Sequence, residues 1–221
     1  MDNTHSVYVD QWDWEKVITA KDRNAEFLKE TVIKIVSAIA ETHAFVTKTY
    51  PVLQGKTEKN VFFITTQELE NAYPNLSPKE REDAIVKKHK TVFLMQIGGR
   101  LESGIKHDGR APDYDDWALN GDLLVWDETL SSCLELSSMG IRVDENSLVS
   151  QLEISDCKER LKLDYHKKIL DKTLPLTIGG GIGQSRLCMY LLEKLHIGEV
   201  SSSVWPEEML EKCKIMGINI L

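Results

Sequence analysis

Residues Thr177–Leu192 read TIGGGIGQSRLCMYLL. Four glycines, Gly179, Gly180, Gly181 and Gly183, follow Leu176 and Ile178, and an apolar helical spacing resumes at Leu187, Cys188, Leu191, Leu192 and Leu195. The order predicts a strand, a stretch of bare backbone and a helix. Glycine is costly inside regular structure, so such a run signals a backbone that bends unusually or one that something approaches closely. Arg186 falls in the first helical turn, where the macrodipole disfavours a cation and favours an anion, and a bound anion is expected beside it. The common phosphate loops do not fit: GxxxxGK[ST] needs a lysine that is absent, and GxGxxG fails at Gln184 and at Arg186. Taken alone, a glycine-kinked strand with a surface arginine accounts for the stretch equally well.

A chain of 221 residues with 42% hydrophobic content suffices for one domain with a real core and is short for two, so residues 1–221 are read as a single domain. The formal net charge of -8 argues against a broad nucleic-acid footprint, which needs a basic face. Cys133, Cys157, Cys188 and Cys213 show no CxxC spacing and are read as buried or reduced thiols. No apolar run reaches transmembrane length, and MDNTHSVYVD lacks the basic and apolar regions of a signal peptide; no membrane partner and a cytoplasmic location are expected.

Around the glycine stretch the chain alternates helices and strands. Ser6–Asp10 reads as a strand, followed by Gln11-Trp12-Asp13-Trp14-Glu15, whose tryptophans would enter the core while Gln11, Asp13 and Glu15 face water. An amphipathic helix runs from Asp22 to about Lys48 on the stripe Leu28, Val32, Ile35, Val36 and Ile39. Val61–Ile64 and Thr91–Ile97 are short apolar strands. Ser77-Pro78-Lys79-Glu80 is a helix start whose helix presents Arg81, Glu82, Lys87 and Lys88 as a solvated face.

Between Arg100 and Trp117, His107, Asp108, Arg110, Asp113, Asp115 and Asp116 crowd into one loop, where a hard cation or a cationic substrate group could be held. Asn120-Gly121-Asp122 opens a strand whose antiparallel partner is Ser132–Met139, so Asp122 and Glu135 lie on neighbouring apolar strands. A carboxylate there must be paired, metal-bound or facing a polar cleft. Asp144 caps a helix through Leu152, a second helical stretch spans Lys158 to about Leu170, and Pro206 opens a terminal helix.

Gly179-x-Gly181-x-Gly183-x-x-Arg186 resembles the third motif of the class II aminoacyl-tRNA synthetase fold. Together with HSVYVDQWDWE, RAPDYDDW, LNGDLLVW and LELSSMGIRVD, in that order from His5 to Arg186, it is similar to the ammonia-dependent asparagine synthetase family along essentially the whole chain. The resemblance implies an α+β fold, a mainly antiparallel sheet flanked by helices. It implies an enzyme, an AMP-forming aspartate–ammonia ligase of asparagine biosynthesis that uses ATP, Mg²⁺, aspartate and ammonia, forms a β-aspartyl-adenylate and does not act on tRNA. No covalent protein nucleophile is required, since positioning and electrostatics carry the chemistry.

Residue by residue, the resemblance implies that Gln11 and Asp13 grip aspartate together with Asp115 and Ser138. His5, Ser6 and Val7 form the edge against adenine. Asp122 and Glu135 hold the metal near the phosphates, Ser137, Gly181 and Gly183 line the nucleotide pocket, and Arg186 meets the terminal phosphate. Arg186, Asp115 and Glu135 are the catalytic set; Arg110 and Arg142 are either part of it or structural ion-pair partners.

The family is longer at its N-terminus and forms homodimers. By resemblance the part before HSVYVDQ holds the first motif, at the dimer interface, and the strand whose arginine meets the α-phosphate. The fold is therefore expected to be incomplete, with Ser6–Asp10 the returning half of a hairpin and an associating apolar edge. These residues alone are expected to support little ATP–pyrophosphate exchange. The alternative is a catalytically inactive truncated homologue acting as a nucleotide-binding or interaction protein.

Overall fold

The computed structural model describes residues 2–221. Its strands are β1 (Gln11–Val17), β2 (Phe62–Thr65), β3 (Thr91–Met95), β4 (Asp115–Asp127), β5 (Ser132–Arg142) and β6 (Thr177–Gly183). They form one sheet in the order β1-β6-β5-β4-β3-β2, antiparallel throughout except for the parallel pair β2–β3. The helices are α1 (Ala25–Thr49), α2 (Thr66–Ala72), α3 (Pro78–His89), α4 (Glu145–Ile154), α5 (Asp164–Leu170), α6 (Gln184–Leu191) and α7 (Glu207–Ile215).

Alternation along each strand assigns the two faces of the sheet. On one face the stripe of α1, Leu28, Val32, Val36 and Ile39, packs with Phe93, Leu123, Val125, Met139, Ile141 and Ile178. On the other, Leu69 of α2 and Ile85 and Val86 of α3 cover Val92, Leu94, Leu124 and Trp126. That cover ends over β4. Beyond it the same face of β4, β5, β6 and β1 presents Asp122, Ser138, Gly181 and Asp13 in register, and this stretch is the floor of an open cleft.

The structure corrects several expectations. The glycines of β6 lie within the strand, and none has a positive φ; Gly98, Gly104 and Gly217 do. Gly179, Gly180 and Gly181 serve close approach and not bending, whereas a Cβ on Gly183 would meet nothing closer than 3.7 Å. A Cβ on Gly180 would stand 2.5 Å from Met139 Cβ, and one on Gly179 2.6 Å from the Trp14 carbonyl oxygen.

Ser6–Asp10 is not a strand. Pairing begins at Gln11, because β1 has a neighbour only in β6 and that partner ends at Gly183. Val7, Tyr8 and Val9 are left 67, 57 and 66% exposed. Gln11, Asp13 and Glu15 face the cleft, and of the two tryptophans Trp14 packs on the core while Trp12 is half exposed.

Arg81 is not on a solvated face. It is buried, its Nη1 3.0 Å from Glu70 Oε1 and its Nε 3.1 Å from the Tyr73 carbonyl oxygen, which ties α3 to α2. The capping box of Ser77 and Glu80 and the cap at Asp144 form as expected. All four cysteines are free, and among the described residues no helix is long and apolar enough to cross a membrane.

Candidate active site

A β-bulge shapes the floor of the cleft. Leu123 pairs with Ser137 while Leu124 pairs with Glu135, so Leu136 is the extra residue. Strict alternation would put Glu135 and Ser138, three apart, on opposite faces. The bulge brings both toward the cleft while Leu136 stays in the core, a common use of bulges beside functional sites.

Two cavities of about 270 and 280 Å³ open along this floor. Both are lined by Gln11, Ser138 and Gly181, so they meet over the bare backbone of β6. A Cβ on Gly181 would lie 2.7 Å from Asp13 Oδ1 and 2.9 Å from Gln11 Oε1, which fixes why that position is glycine.

The first cavity is bounded by the segment Thr4–Ser6, by Glu135, Ser137 and Gly183, and by Arg186 at the start of α6. α6 begins at Gly183 with no side-chain cap and no acidic residue in its first turn, so its amide ends and Arg186 present positive potential uncompensated from within the helix. Arg186 is held loosely: Nη1 is 3.1 Å from the Glu135 carbonyl oxygen and 3.5 Å from its carboxylate, and Nε is 3.3 Å from the Thr4 carbonyl oxygen. Its Nη2 donates at 2.6 Å to His5 Nε2. A guanidinium only donates, so the His5 proton sits on Nδ1, which faces Asp2 at 2.8 Å. Ser137 donates to the Gly181 carbonyl oxygen at 2.8 Å. Val7 is exposed outside this cavity, whose lining continues through Tyr8 and Val9.

The second cavity is lined by Asp13, Gly109, Arg110, Tyr114 and Asp115, and its charges are tightly paired. Arg142 is buried between two carboxylates. Nη2 and Nε donate to Glu15 at 2.8 and 3.1 Å, and Nη1 donates to Asp115. Its guanidinium also lies 3.9 Å from the centroid of the Tyr114 ring. Burial raises the Asp115 pKa, and Arg142 opposes the rise. Arg110 pairs with Asp122, which lies buried beneath it. Burial and the neighbouring charge of Glu135 push Asp122 up to about 7.

The loop from Arg100 to Trp117 does not gather a metal site. Asp113 pairs with Arg160 and His166, Asp115 with Arg142, Asp116 with Arg23, and His107 with Glu82. Asp113, Asp115 and Asp116 thus each have their own cation, and among the described residues no three His, Cys, Asp or Glu side chains are placed to hold a metal ion. Asp115 and Asp116 belong to β4 itself. Glu15 and Tyr114 were not singled out from the sequence as site residues; the alternation Gln11, Asp13, Glu15 carried the signal for the first.

The sequence model of the aspartate–ammonia ligase family matches residues 1–217. The aspartate–ammonia ligase of Clostridium tetani is 61% identical over 221 residues, all of this chain and 65% of that protein. That of Fusobacterium nucleatum is 58% identical over 220 residues, 67% of its length. The chain thus spans about two thirds of the length of these curated relatives. Among solved structures, asparaginyl-tRNA synthetase from Pyrococcus horikoshii complexed with asparaginyl-adenylate superposes with a TM-score of 0.63 at 12% identity, over 93% of this chain and 50% of that one. Asparaginyl-tRNA synthetase from Entamoeba histolytica gives 0.60 at 14%, over 89% and 47%. The fold is that of the class II synthetases, α+β with helices flanking a mainly antiparallel sheet.

Proposed function

The chain belongs to the aspartate–ammonia ligase family, and from that premise we propose that it takes part in the ATP-dependent amidation of L-aspartate. An oxygen of the aspartate β-carboxylate attacks the α-phosphorus of ATP, giving β-aspartyl-adenylate and pyrophosphate. Ammonia then attacks the activated carbonyl, loses a proton and displaces AMP, leaving asparagine. The observation that carries this reading is the pair of cavities joined over Gly181, one ending at Arg186 and the other at Asp13 and Asp115. An acyl-adenylate has two such halves.

In this proposal His5 and Ser6, at the edge of the first cavity, receive adenine, Ser137, Gly181 and Gly183 line the path of the nucleotide, and Arg186 takes the terminal phosphate in exchange for its weak hold on Glu135. Gln11, Asp13 and Ser138 bind aspartate, with Asp13 suited to its ammonium group. Asp115, fixed by Arg142, shapes that pocket. Mg²⁺ would neutralise the phosphates from Glu135 and Asp122. These carboxylates fit a hard cation: burial first, and then the charge of Glu135, raise the Asp122 pKa, and a bound cation would offset both. Residues 1–221 act as one catalytic domain in the cytoplasm, on free aspartate and not on tRNA, in keeping with the net charge of -8. The family's homodimer is proposed here too.

The test is aspartate-dependent exchange of pyrophosphate into ATP, followed by asparagine formation on addition of ammonium. Exchange that requires aspartate and vanishes in Arg186→Ala supports the proposal, and release of ADP in place of AMP sinks it. Where residues 1–221 exchange little by themselves, adding the N-terminal third of a relative is expected to restore the reaction.

A further inference from the structure

The second cavity is roofed by residues 108–112, and Gly109, Arg110 and Ala111 line it. Both ends of this loop are tied to helices by a histidine–carboxylate pair. Before it, buried His107 has Nε2 3.0 Å from Glu82 Oε1 on α3. After it, Asp113 Oδ2 lies 2.9 Å from Nε2 of buried His166 on α5 and 3.1 Å from Arg160 Nη1. Neither histidine lines the cavity. Each leaves its Nδ1 buried without a partner, so each ring needs one proton only, on Nε2, donated to the carboxylate.

The two ties differ in their support. On the C-terminal side the Trp117 indole donates to the Ala111 carbonyl oxygen at 3.3 Å, and the Gln151 amide donates to that of Pro112 at 2.9 Å. On the N-terminal side, among the described residues, His107 alone ties residues 106–109 to a helix or strand by a side-chain hydrogen bond.

We propose that residues 108–112 form a lid over the amino-acid cavity, and that His107 and His166 are positioning residues that clasp its two ends and hold Arg110 over Asp122. Calling the cavity the amino-acid half rests on the reaction proposed above; the clasped lid does not. A five-residue loop between fixed ends has few conformations to lose, so Arg110 stays in place at little entropic cost when the cavity fills. Opening a clasp lengthens the free loop and lets Arg110 leave.

The Arg110–Ala111 bond is itself a trypsin site, so limited trypsinolysis of the full chain with mass-spectrometric identification of the cut reads the lid directly. His107→Phe, which keeps a flat ring and loses the donor, is expected to be cut there about tenfold faster than the unaltered chain, the loss of one charge-assisted hydrogen bond. His166→Phe is expected to show a smaller increase, because Trp117 and Gln151 still hold its side. His107→Gln, whose amide donates to Glu82, restores protection. An unchanged rate in His107→Phe overturns the clasp. Should that variant also be cut at buried Arg81, a sign that the fold is lost, Glu82→Leu, which leaves His107 no acceptor, decides: faster cleavage confined to Arg110 supports the lid, and none refutes it. L-aspartate is expected to slow the cut in the unaltered chain, and in the exchange assay His107→Phe should raise KM for aspartate while leaving that for ATP unchanged. Absence of both substrate effects, with the cleavage effect intact, refutes the amino-acid assignment and leaves the clasped lid standing.

Discussion

The two cavities that meet over Gly181 use charge in opposite ways. Around the first, Arg186 and Glu135 are partly exposed and 3.5 Å apart, and the other partners of Arg186 are the Thr4 and Glu135 carbonyl oxygens and His5. Around the second, Arg142, Asp115 and Asp122 are buried, with short pairings that leave little to spare. A loosely held arginine gives up its partner to an incoming anion at small cost. A buried and saturated one belongs to the frame, since breaking a buried pair leaves a charge without solvent or partner. Function without stability at one end, and stability beneath function at the other, is the contrast that mutation can break or sharpen.

Arg186→Ala has the largest expected effect and falls on the loose side. Aspartate-dependent exchange should drop by about 10²–10³-fold, as when one preorganised charge donor is removed, while the free energy of unfolding in urea stays within about 0.5 kcal/mol of the parent. A large loss of stability would erase the contrast. Arg142→Met should do the reverse, destabilising the fold by about 3–5 kcal/mol because Asp115 and Glu15 lose their shared cation; a variant as stable as the parent would show that the second cavity is not a frame.

Gly181→Ala strikes the wall common to both. The new methyl meets only the ends of Asp13 and Gln11, which can yield, so folding should persist while KM for aspartate rises about tenfold through displaced groups. Gly179→Ala, which meets backbone as well, should instead fail in stability.

The smallest effect is one of pH. Asp122 titrates at about 7 in the folded chain, well above the ordinary 3.8, so the folded state binds its proton more tightly than the unfolded state. Its ionisation therefore costs stability in full above pH 7, and the cost is relieved as pH falls toward 5. Buried His43, whose pKa burial lowers, works in the opposite sense in this window. The informative quantity is accordingly the difference between parent and Asp122→Asn: the parent should gain about 2 kcal/mol more than the variant between pH 7.5 and 5.5. Equal slopes would refute the strained carboxylate.

Legibility followed the range of each interaction. The stripe of α1, the capping box at Ser77, the pairing of the strands holding Asp122 and Glu135, and the place of Arg186 in the first turn of α6 were open to reading because period and cap act over a few residues. The family motifs carried the rest of the candidate set. What escaped depends on distant partners. Arg81 looked solvated because its mates Glu70 and Tyr73 sit on another helix. The acidic loop looked like a cation site because Arg23, Arg142 and Arg160, which neutralise it, are remote in sequence. Ser6–Asp10 has the composition of a strand, but composition does not supply the neighbour that pairing needs. The bulge at Leu136 leaves no mark in the pattern at all, since LELSS alternates acceptably without it.

That bulge also sets how the chain can change over generations. With Leu136 removed, Glu135 and Ser138 would stand two apart and share the cleft face by plain alternation, so the shortened strand keeps both site residues and gives up one buried leucine. Loss of one residue at the bulge is thus expected to spare the cleft, while loss of Gly140, where no bulge absorbs it, would turn Ile141 out of the core. At the bulge, and not elsewhere along it, this strand can drift in length as well as by substitution.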